Sequence, residues 1–232
     1  MSTRLVVPDL LAASLTIARK DLAIEWRTRT AFYSASLLAL LGIVIFYFAW
    51  DHTAVSSLDL APGVLWVIFT FSGILGLQRS FGIEQTERAI DGLRASPVPR
   101  EAIYLGKALA NLVFVVAVQA VAIPAVALFY DVPFGGAAVA LAGIALLAAI
   151  GLVAVGTLFG AMAVNTRLAE LLLPVLSLPF FLPIVMSAAQ STALLLSGRP
   201  VHEAADSLKL LAAFDIVFVA VCTLAFPFAL EE

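Results

Sequence analysis

The sequence predicts an all-α integral membrane protein, with six transmembrane helices packed as a single domain. Of its 232 residues, 62% are hydrophobic and 12% are charged, whereas soluble domains are about half apolar and a quarter charged. A helix needs about 20 apolar residues to cross the hydrocarbon core of a bilayer. Six apolar runs approach or exceed this length, at residues 31–50, 60–77, 106–130, 137–164, 170–192 and 210–230.

Lysine and arginine are distributed unevenly between the two sides of these spans. If both termini lie inside, the N-terminal segment, the 78–107 loop and the 165–169 loop hold 11 of the 13 basic residues, and the 193–209 loop holds the other 2. Cytoplasmic loops carry an excess of Lys and Arg. The sequence therefore predicts an N-in, C-in orientation, with membrane lipid around the chain and no nucleic-acid partner.

Residues 10–29 form an amphipathic segment ahead of the first span. Glu25 and Arg29 are spaced for an i,i+4 ion pair. A helix with one apolar stripe, basic residues and a tryptophan lies in the membrane interface, so we predict an interfacial helix here. The alternative is a solvated lead-in to the first span. The stripe consists of Leu11, Leu15, Ala18, Leu22 and Trp26.

The loop between the second and third spans, residues 78–105, is long enough to contain a helix of its own. Glu84 and Arg88 are spaced i,i+4, which stabilises a helix, and Pro97 and Pro99 end it. We predict a helix of about a dozen residues in this cytoplasmic loop, which can dock a partner. The alternative is a surface loop whose charges only set the topology.

The sequence contains no recognisable catalytic motif. The Gly106-Lys107 pair lacks the upstream glycine and the following Ser or Thr of a phosphate-binding loop, so the chain is not expected to hydrolyse ATP. The single cysteine excludes an internal disulfide. His52 and His202 are weak candidates for metal or haem ligands, because a lone histidine in a loop is usually solvated. We predict a protein that is not an enzyme.

Polar residues and prolines inside the predicted spans are the remaining candidates, because polar groups in a membrane are often functional. Asn111 and Gln119 lie on one face of the third span, and they bind either another helix or a substrate. Asp215 is predicted near the outer face. In the fifth span, three prolines indicate either a helix broken at a cavity or interface, or a packing kink. They are Pro174, Pro179 and Pro183.

Several segments of the chain together carry a family resemblance. One is N-terminal and contains Lys20-Asp21-Leu22, Glu25 and Arg27. The most specific segments are Ala61–Trp66, Gln78–Phe81, Glu84, Glu87, Asp91-Gly92-Leu93 and Pro97-Val98-Pro99 to Lys107. Together these segments resemble the CcmB family, the permease subunit of the cytochrome c maturation ABC transporter, and the N-terminal segment is similar to the opening helix of that family.

The resemblance implies an ABC-2-type permease of the bacterial inner membrane, with an N-terminal elbow helix and a coupling helix at 81–94. It implies an ATPase subunit that binds ATP, a haem-handling membrane subunit, and indirectly a periplasmic haem chaperone. Haem is then not a cofactor bound by this chain, and ATP hydrolysis drives either the export of haem or the release of the haem-loaded chaperone. The assembly is a homodimer or a heteromeric complex. The coupling residues implied are Phe81, Glu84, Glu87, Arg88, Ile90, Asp91, Gly92 and Leu93.

Three alternatives to this function differ in what they require. A permease of the same fold for a lipid or a drug would differ in its neighbouring genes. A membrane-embedded enzyme would need paired carboxylates, and Glu170 and Asp215 are predicted at opposite faces. A proton-driven transporter would need an ionisable residue at the midplane, and the predicted spans place none there.

Overall fold

The computed structural model of the chain describes residues 9–87, 98–132, 134–163 and 169–229. Across these ranges the chain is helical, without a β-strand. Two short 3₁₀ helices, Gly135–Ala137 and Val201–Ala204, precede the fifth and seventh α-helices. The α-helices are α1 (Leu10–Thr28), α2 (Thr30–Ala49), α3 (Ser57–Glu87), α4 (Arg100–Tyr130), α5 (Ala138–Ala163), α6 (Ala169–Leu196) and α7 (Ala205–Ala229).

Six of these helices, α2 to α7, are long and apolar enough to cross a membrane. This confirms the predicted all-α class and the predicted number of spans. The helix ends differ from the predicted limits, because hydropathy marks the apolar part of a helix and not where its backbone hydrogen bonds stop. Thus α4 begins at Arg100 rather than near residue 106, and α7 begins at Ala205 rather than near residue 210.

Helix α5 is at the centre of the bundle and packs against α3, α4, α6 and α7. Its buried residues are mostly small, which lets neighbouring backbones approach closely in a membrane. At Gly156, within the sequence GTLFG, the Leu77 side chain of α3 occupies the space that a Cβ atom would need. The core is further fixed by the buried Trp66 indole, which donates a 2.9 Å hydrogen bond to Thr192 of α6.

Helix α1 lies against the first third of α4. A Cβ atom at Gly106 would be 2.7 Å from the Ser14 carbonyl oxygen and 2.8 Å from the Ile17 side chain, so only glycine permits this contact. The residues of the predicted apolar stripe of α1 are not all buried. Ala18 is buried in the bundle, whereas Leu11 and Trp26 are 67% and 75% exposed.

A single residue, Arg29, separates α1 from α2, and its backbone is left-handed with φ 53°. The predicted ion pair between Glu25 and Arg29 does not form. Instead, the Glu25 carboxylate accepts a 2.9 Å hydrogen bond from the Phe32 backbone N–H in the first turn of α2. The Arg29 guanidinium lies 5.0 Å from the centre of the Trp26 ring. A backbone N–H in the first turn of a helix has no partner within the helix and is a favourable donor to a carboxylate.

Helix α3 does not end at residue 77, the predicted limit of the second span. It continues as one helix from Ser57 to Glu87. The first part of the predicted coupling helix, residues 81–87, is therefore an extension of α3 rather than a separate element. Residues 88–97 lie outside the described part of the chain.

Candidate functional site

The predicted coupling residues belong to the C-terminal end of α3 and the segment after it. Phe81, Glu84 and Glu87 lie on the last turns of α3. The apolar span within α3 ends at Gln78, so the helix extends beyond it by nine residues, or about 14 Å. The other predicted coupling residues lie outside the described part of the chain, namely Arg88, Ile90, Asp91, Gly92 and Leu93.

The far end of the same loop joins α4, where Lys107 forms a buried ion pair. Its ammonium group is 3.3 Å from the carboxylate of Asp21 on α1, and the Lys107 side chain is only 3% exposed. Lys20 lies 3.0 Å from the same carboxylate. This pair was not predicted from the sequence. A signal was present, because Lys107 is a charged residue at the start of an apolar run.

Asn111 and Gln119 both connect α4 to α5. The Asn111 amide donates a 3.1 Å hydrogen bond to the Thr157 hydroxyl. The Gln119 amide donates a 2.9 Å hydrogen bond to the Ala145 carbonyl. Both side chains are buried. Of the two interpretations that the sequence leaves open, the structure shows contact with another helix, and a contact with substrate stays a prediction.

Asp215 was predicted near the outer face of the membrane, but it lies near the middle of helix α7. It is 5% exposed, and neither carboxylate oxygen has a hydrogen-bond partner among the described residues. A Cβ atom at Gly151, midway along α5, would be 2.5 Å from the Asp215 carboxylate. The prediction was wrong because α7 begins five residues earlier than its apolar run.

The position of Asp215 bears on the proton-driven transporter, one of the alternatives to a permease. Such a transporter needs an ionisable group near the middle of a span, and none was predicted there from the sequence. The structure places Asp215 opposite the middle of α5, beside Ile184 near the middle of α6. Ionisable groups at this depth are costly and are candidates for function.

Comparisons with known proteins identify the family. A family model described as CcmB protein matches residues 12–232. The chain belongs to the CcmB family. It is 28% identical over 212 residues to "Heme exporter protein B" of Paracoccus denitrificans, a match that covers 91% of this chain and 95% of that protein. It is 30% identical over 131 residues to "Heme exporter protein B" of Rhodobacter capsulatus, covering 56% of this chain and 60% of that protein.

CcmB proteins are membrane permease components of a transporter and are not enzymes. This agrees with the absence of a recognisable catalytic motif in the sequence. The six apolar helices and the family together make the chain a multi-pass protein of the bacterial inner membrane.

In this CcmB chain, His52 belongs to an aromatic cluster at the ends of α2 and α4, on the side opposite α1. Its ring centre is 3.9 Å from that of Trp50 and 5.4 Å from that of Tyr47. Aromatic residues concentrate at membrane–water interfaces. His202 lies in the 3₁₀ helix Val201–Ala204. Within the described ranges, no three His, Cys, Asp or Glu residues are grouped to hold a metal ion.

The three prolines of the fifth span do not break α6, which continues from Ala169 to Leu196. The interpretation as a broken helix was therefore wrong. Membrane helices tolerate proline because neighbouring groups satisfy the freed backbone atoms. Pro179 is exposed, and Pro174 and Pro183 are half-buried, whereas the buried face of α6 is formed by other residues, such as Ser177, Phe181, Ile184, Ala188 and Ser191.

Proposed function

We propose that the chain is the permease subunit of an ABC transporter for cytochrome c maturation, and that a separate subunit hydrolyses ATP. The observation that carries this proposal is the match, over 91% of the chain, to a protein named "Heme exporter protein B". ATP hydrolysis would drive either export of haem or release of a haem-loaded periplasmic chaperone. Both outcomes use the same mechanical step in this subunit.

The proposed step is a displacement of the 78–105 loop by the ATPase subunit. Because α3 is one helix from Ser57 to Glu87, a force on its cytoplasmic end moves its membrane-spanning part as well. The Trp66–Thr192 hydrogen bond links that part to α6. At the other end of the loop, Lys107 links α4 to α1. The loop is thus attached to helices that can carry its motion across the membrane.

We assign the contact with the ATPase subunit to the coupling residues. Apolar side chains in a cleft supply most of the binding energy at an interface, and complementary charges set its register. The apolar anchors in this proposal are Phe81, Ile90 and Leu93. Glu84, Glu87 and Arg88 supply the charges, and Asp91 and Gly92 belong to the same coupling segment.

The proposed orientation, N-in and C-in, places this loop where ATP is available. Helix α1 and the α3–α4 loop are on the same side of the bundle, because α2 and α3 are joined by the short 50–56 segment. Most of the Lys and Arg residues belong to that side. Helix α1 would then be the elbow helix, with Leu11, Leu15 and Trp26 facing the interface.

The other proposed partners are a haem-handling membrane subunit, a second copy of this chain and, indirectly, the periplasmic chaperone. Large apolar side chains on the outer face of α6 provide a surface for lipid or for another subunit. Leu182 and Met186, for example, are 59% and 52% exposed.

The test is co-purification of the tagged chain with the products of its neighbouring genes from mild detergent. We expect an ATPase subunit to co-purify, and Phe81→Ala or Glu84→Lys to reduce its recovery and cytochrome c maturation together. Phe48→Ala is the matched control for Phe81→Ala. Phe48 is 81% exposed, and it lies at the end of α2 that is far from the 78–105 loop.

Each negative outcome of this test has a separate meaning. Normal ATPase recovery and normal maturation with both Phe81→Ala and Glu84→Lys would overturn the coupling assignment but not the permease. Absence of any ATPase subunit from the purified complex would overturn the ABC transporter proposal itself.

A further inference from the structure

A cavity of about 380 Å³ lies where α1, α2, α3 and α4 meet, on the side of the α3–α4 loop. Three charged residues on the side of α1 and the α1–α2 junction contribute to its lining, Asp21, Glu25 and Arg29, and most of the residues on the side of α4 are apolar. A cavity that is charged at one end and apolar at the other matches an amphiphile rather than a water-soluble ligand.

The charged end has groups of both signs. Arg29 makes no ion pair with another residue in the described ranges, and its Nε donates a 3.2 Å hydrogen bond to the Trp26 carbonyl. A guanidinium group binds phosphate through its remaining N–H groups. Glu25 uses one carboxylate oxygen for the Phe32 amide, and its second oxygen can accept a bond from an ammonium group.

The apolar end follows one face of α4. Ala110, Val113, Phe114 and Ala117 line it, and their spacing of three and four residues places them on the same side of the helix. The Phe114 ring lies against Gly76 of α3, where a Cβ atom would collide with it.

The apolar slot is long enough for part of one acyl chain. Its lining on α4 runs from Ala110 to Ala117, a separation of seven residues, or about 10 Å of helix. One leaflet is about half of the roughly 30 Å hydrocarbon core. The slot therefore covers about two thirds of the depth of an acyl chain in one leaflet.

We propose that this cavity binds one membrane phospholipid with an ethanolamine headgroup. Arg29 binds the phosphate, the second carboxylate oxygen of Glu25 binds the ammonium group, and an acyl chain fills the slot as far as Ala117. Asp21 is already paired with Lys107 and Lys20. An anionic headgroup without an amine would bring no partner for the Glu25 carboxylate and would be repelled by it. The bound lipid would fix the α1–α2 junction against α4. This proposal does not depend on the cargo or on the ATPase subunit.

The test uses the full chain, reconstituted in vesicles of equal parts phosphatidylethanolamine and phosphatidylglycerol, then extracted into mild detergent. Native mass spectrometry counts the lipids that remain bound. We expect one phosphatidylethanolamine per chain, and a loss of roughly tenfold in occupancy for Arg29→Gln, which removes charge-assisted hydrogen bonds. Arg27→Gln is the matched control, because Arg27 is exposed and does not line the cavity.

A second variant tests the apolar slot independently of the headgroup. Ala117→Trp should fill the slot and prevent binding, whereas Ala120→Trp should not, because Ala120 is exposed on the same helix and does not line the cavity. Retention of phosphatidylglycerol at equal or higher occupancy would overturn the headgroup assignment. Equal occupancy in Arg29→Gln and Arg27→Gln, or no retained phospholipid in the unaltered chain, would overturn the site.

Discussion

The ammonium group of Lys107 lies 3.3 Å from the carboxylate of Asp21, and this ion pair joins α4 to α1. The two side chains are 3% and 13% exposed. Burying a charge costs several kcal/mol unless a partner compensates for the lost water. The pair therefore lets a lysine lie inside the bundle, and it fixes α1 beside the loop through which we propose that the ATPase acts.

Removing one member of this pair should destabilise the protein, and the two single variants should differ. Asp21→Asn removes the carboxylate 3.3 Å from the buried Lys107 ammonium group, and breaking a buried ion pair from one side costs about 3–5 kcal/mol. Lys107→Met should cost less, because Asp21 keeps Lys20 at 3.0 Å. The measurement is the apparent melting temperature of the purified chain in detergent.

The control for this prediction is Lys209→Met, which makes the same substitution in an exposed ion pair. Lys209 and Asp206 are 76% and 98% exposed, and exposed pairs contribute about 1 kcal/mol or less. If Asp21→Asn melts at the same temperature as Lys209→Met, the pair does not hold α1 in place.

The hydrogen bond between Asn111 and Thr157 should contribute a measurable coupling energy. Interhelical hydrogen bonds in membrane proteins average about 0.6 kcal/mol and reach about 1.7 kcal/mol. A double-mutant cycle of Asn111→Ala and Thr157→Ala, read from unfolding in mixed detergent, should give a value in this range. A cycle of Asn111→Ala with Thr223→Ala should give none, because Thr223 bonds within its own helix.

The fold was largely predictable from the sequence, and the helix limits were not. Runs of apolar residues are sufficient to identify six spans, because the bilayer requires a fixed length of apolar helix. The extension of α3 to Glu87 and the start of α4 at Arg100 involve polar residues. Hydropathy carries no information on whether such residues stay helical.

The site was predictable only where its residues are close in sequence. The spacing of Asn111 and Gln119 showed that they share a face, but not that α5 lies opposite them. The pairing of Lys107 with Asp21, 86 residues apart, depends on which helices are neighbours. The depth of Asp215 depends on the true start of α7. Each of these needs the tertiary structure.

Gly151→Ala should destabilise the bundle, because it adds a methyl group where α5, α6 and α7 meet. The new Cβ atom would be 2.5 Å from the Asp215 carboxylate and 2.8 Å from Ile184, and overpacking costs about 1–3 kcal/mol. Gly143→Ala is the control on the same helix. Nothing lies within 4 Å of its Cβ position, so it should gain up to about 1 kcal/mol of helix propensity.

A double variant tests whether Asp215 causes the clash. Asp215→Ala removes the carboxylate, so the further change Gly151→Ala should cost less in that background than in the unaltered chain. The measurement is again the apparent melting temperature of each purified variant in detergent. An equal cost in both backgrounds would mean that Ile184, not Asp215, limits the space beside Gly151.

The proposed orientation predicts which engineered cysteines react with a membrane-impermeant maleimide in intact cells. The native Cys222 is buried and should not react, so single cysteines can be introduced without removing it. Thr53→Cys and Ser197→Cys, in exposed segments on the side opposite α1, should be labelled without permeabilisation, because the reagent reaches the periplasm. Arg27→Cys should be labelled only after the inner membrane is opened. The reverse pattern would place the 78–105 loop outside, where no ATPase could bind it, and would exclude coupling through α3.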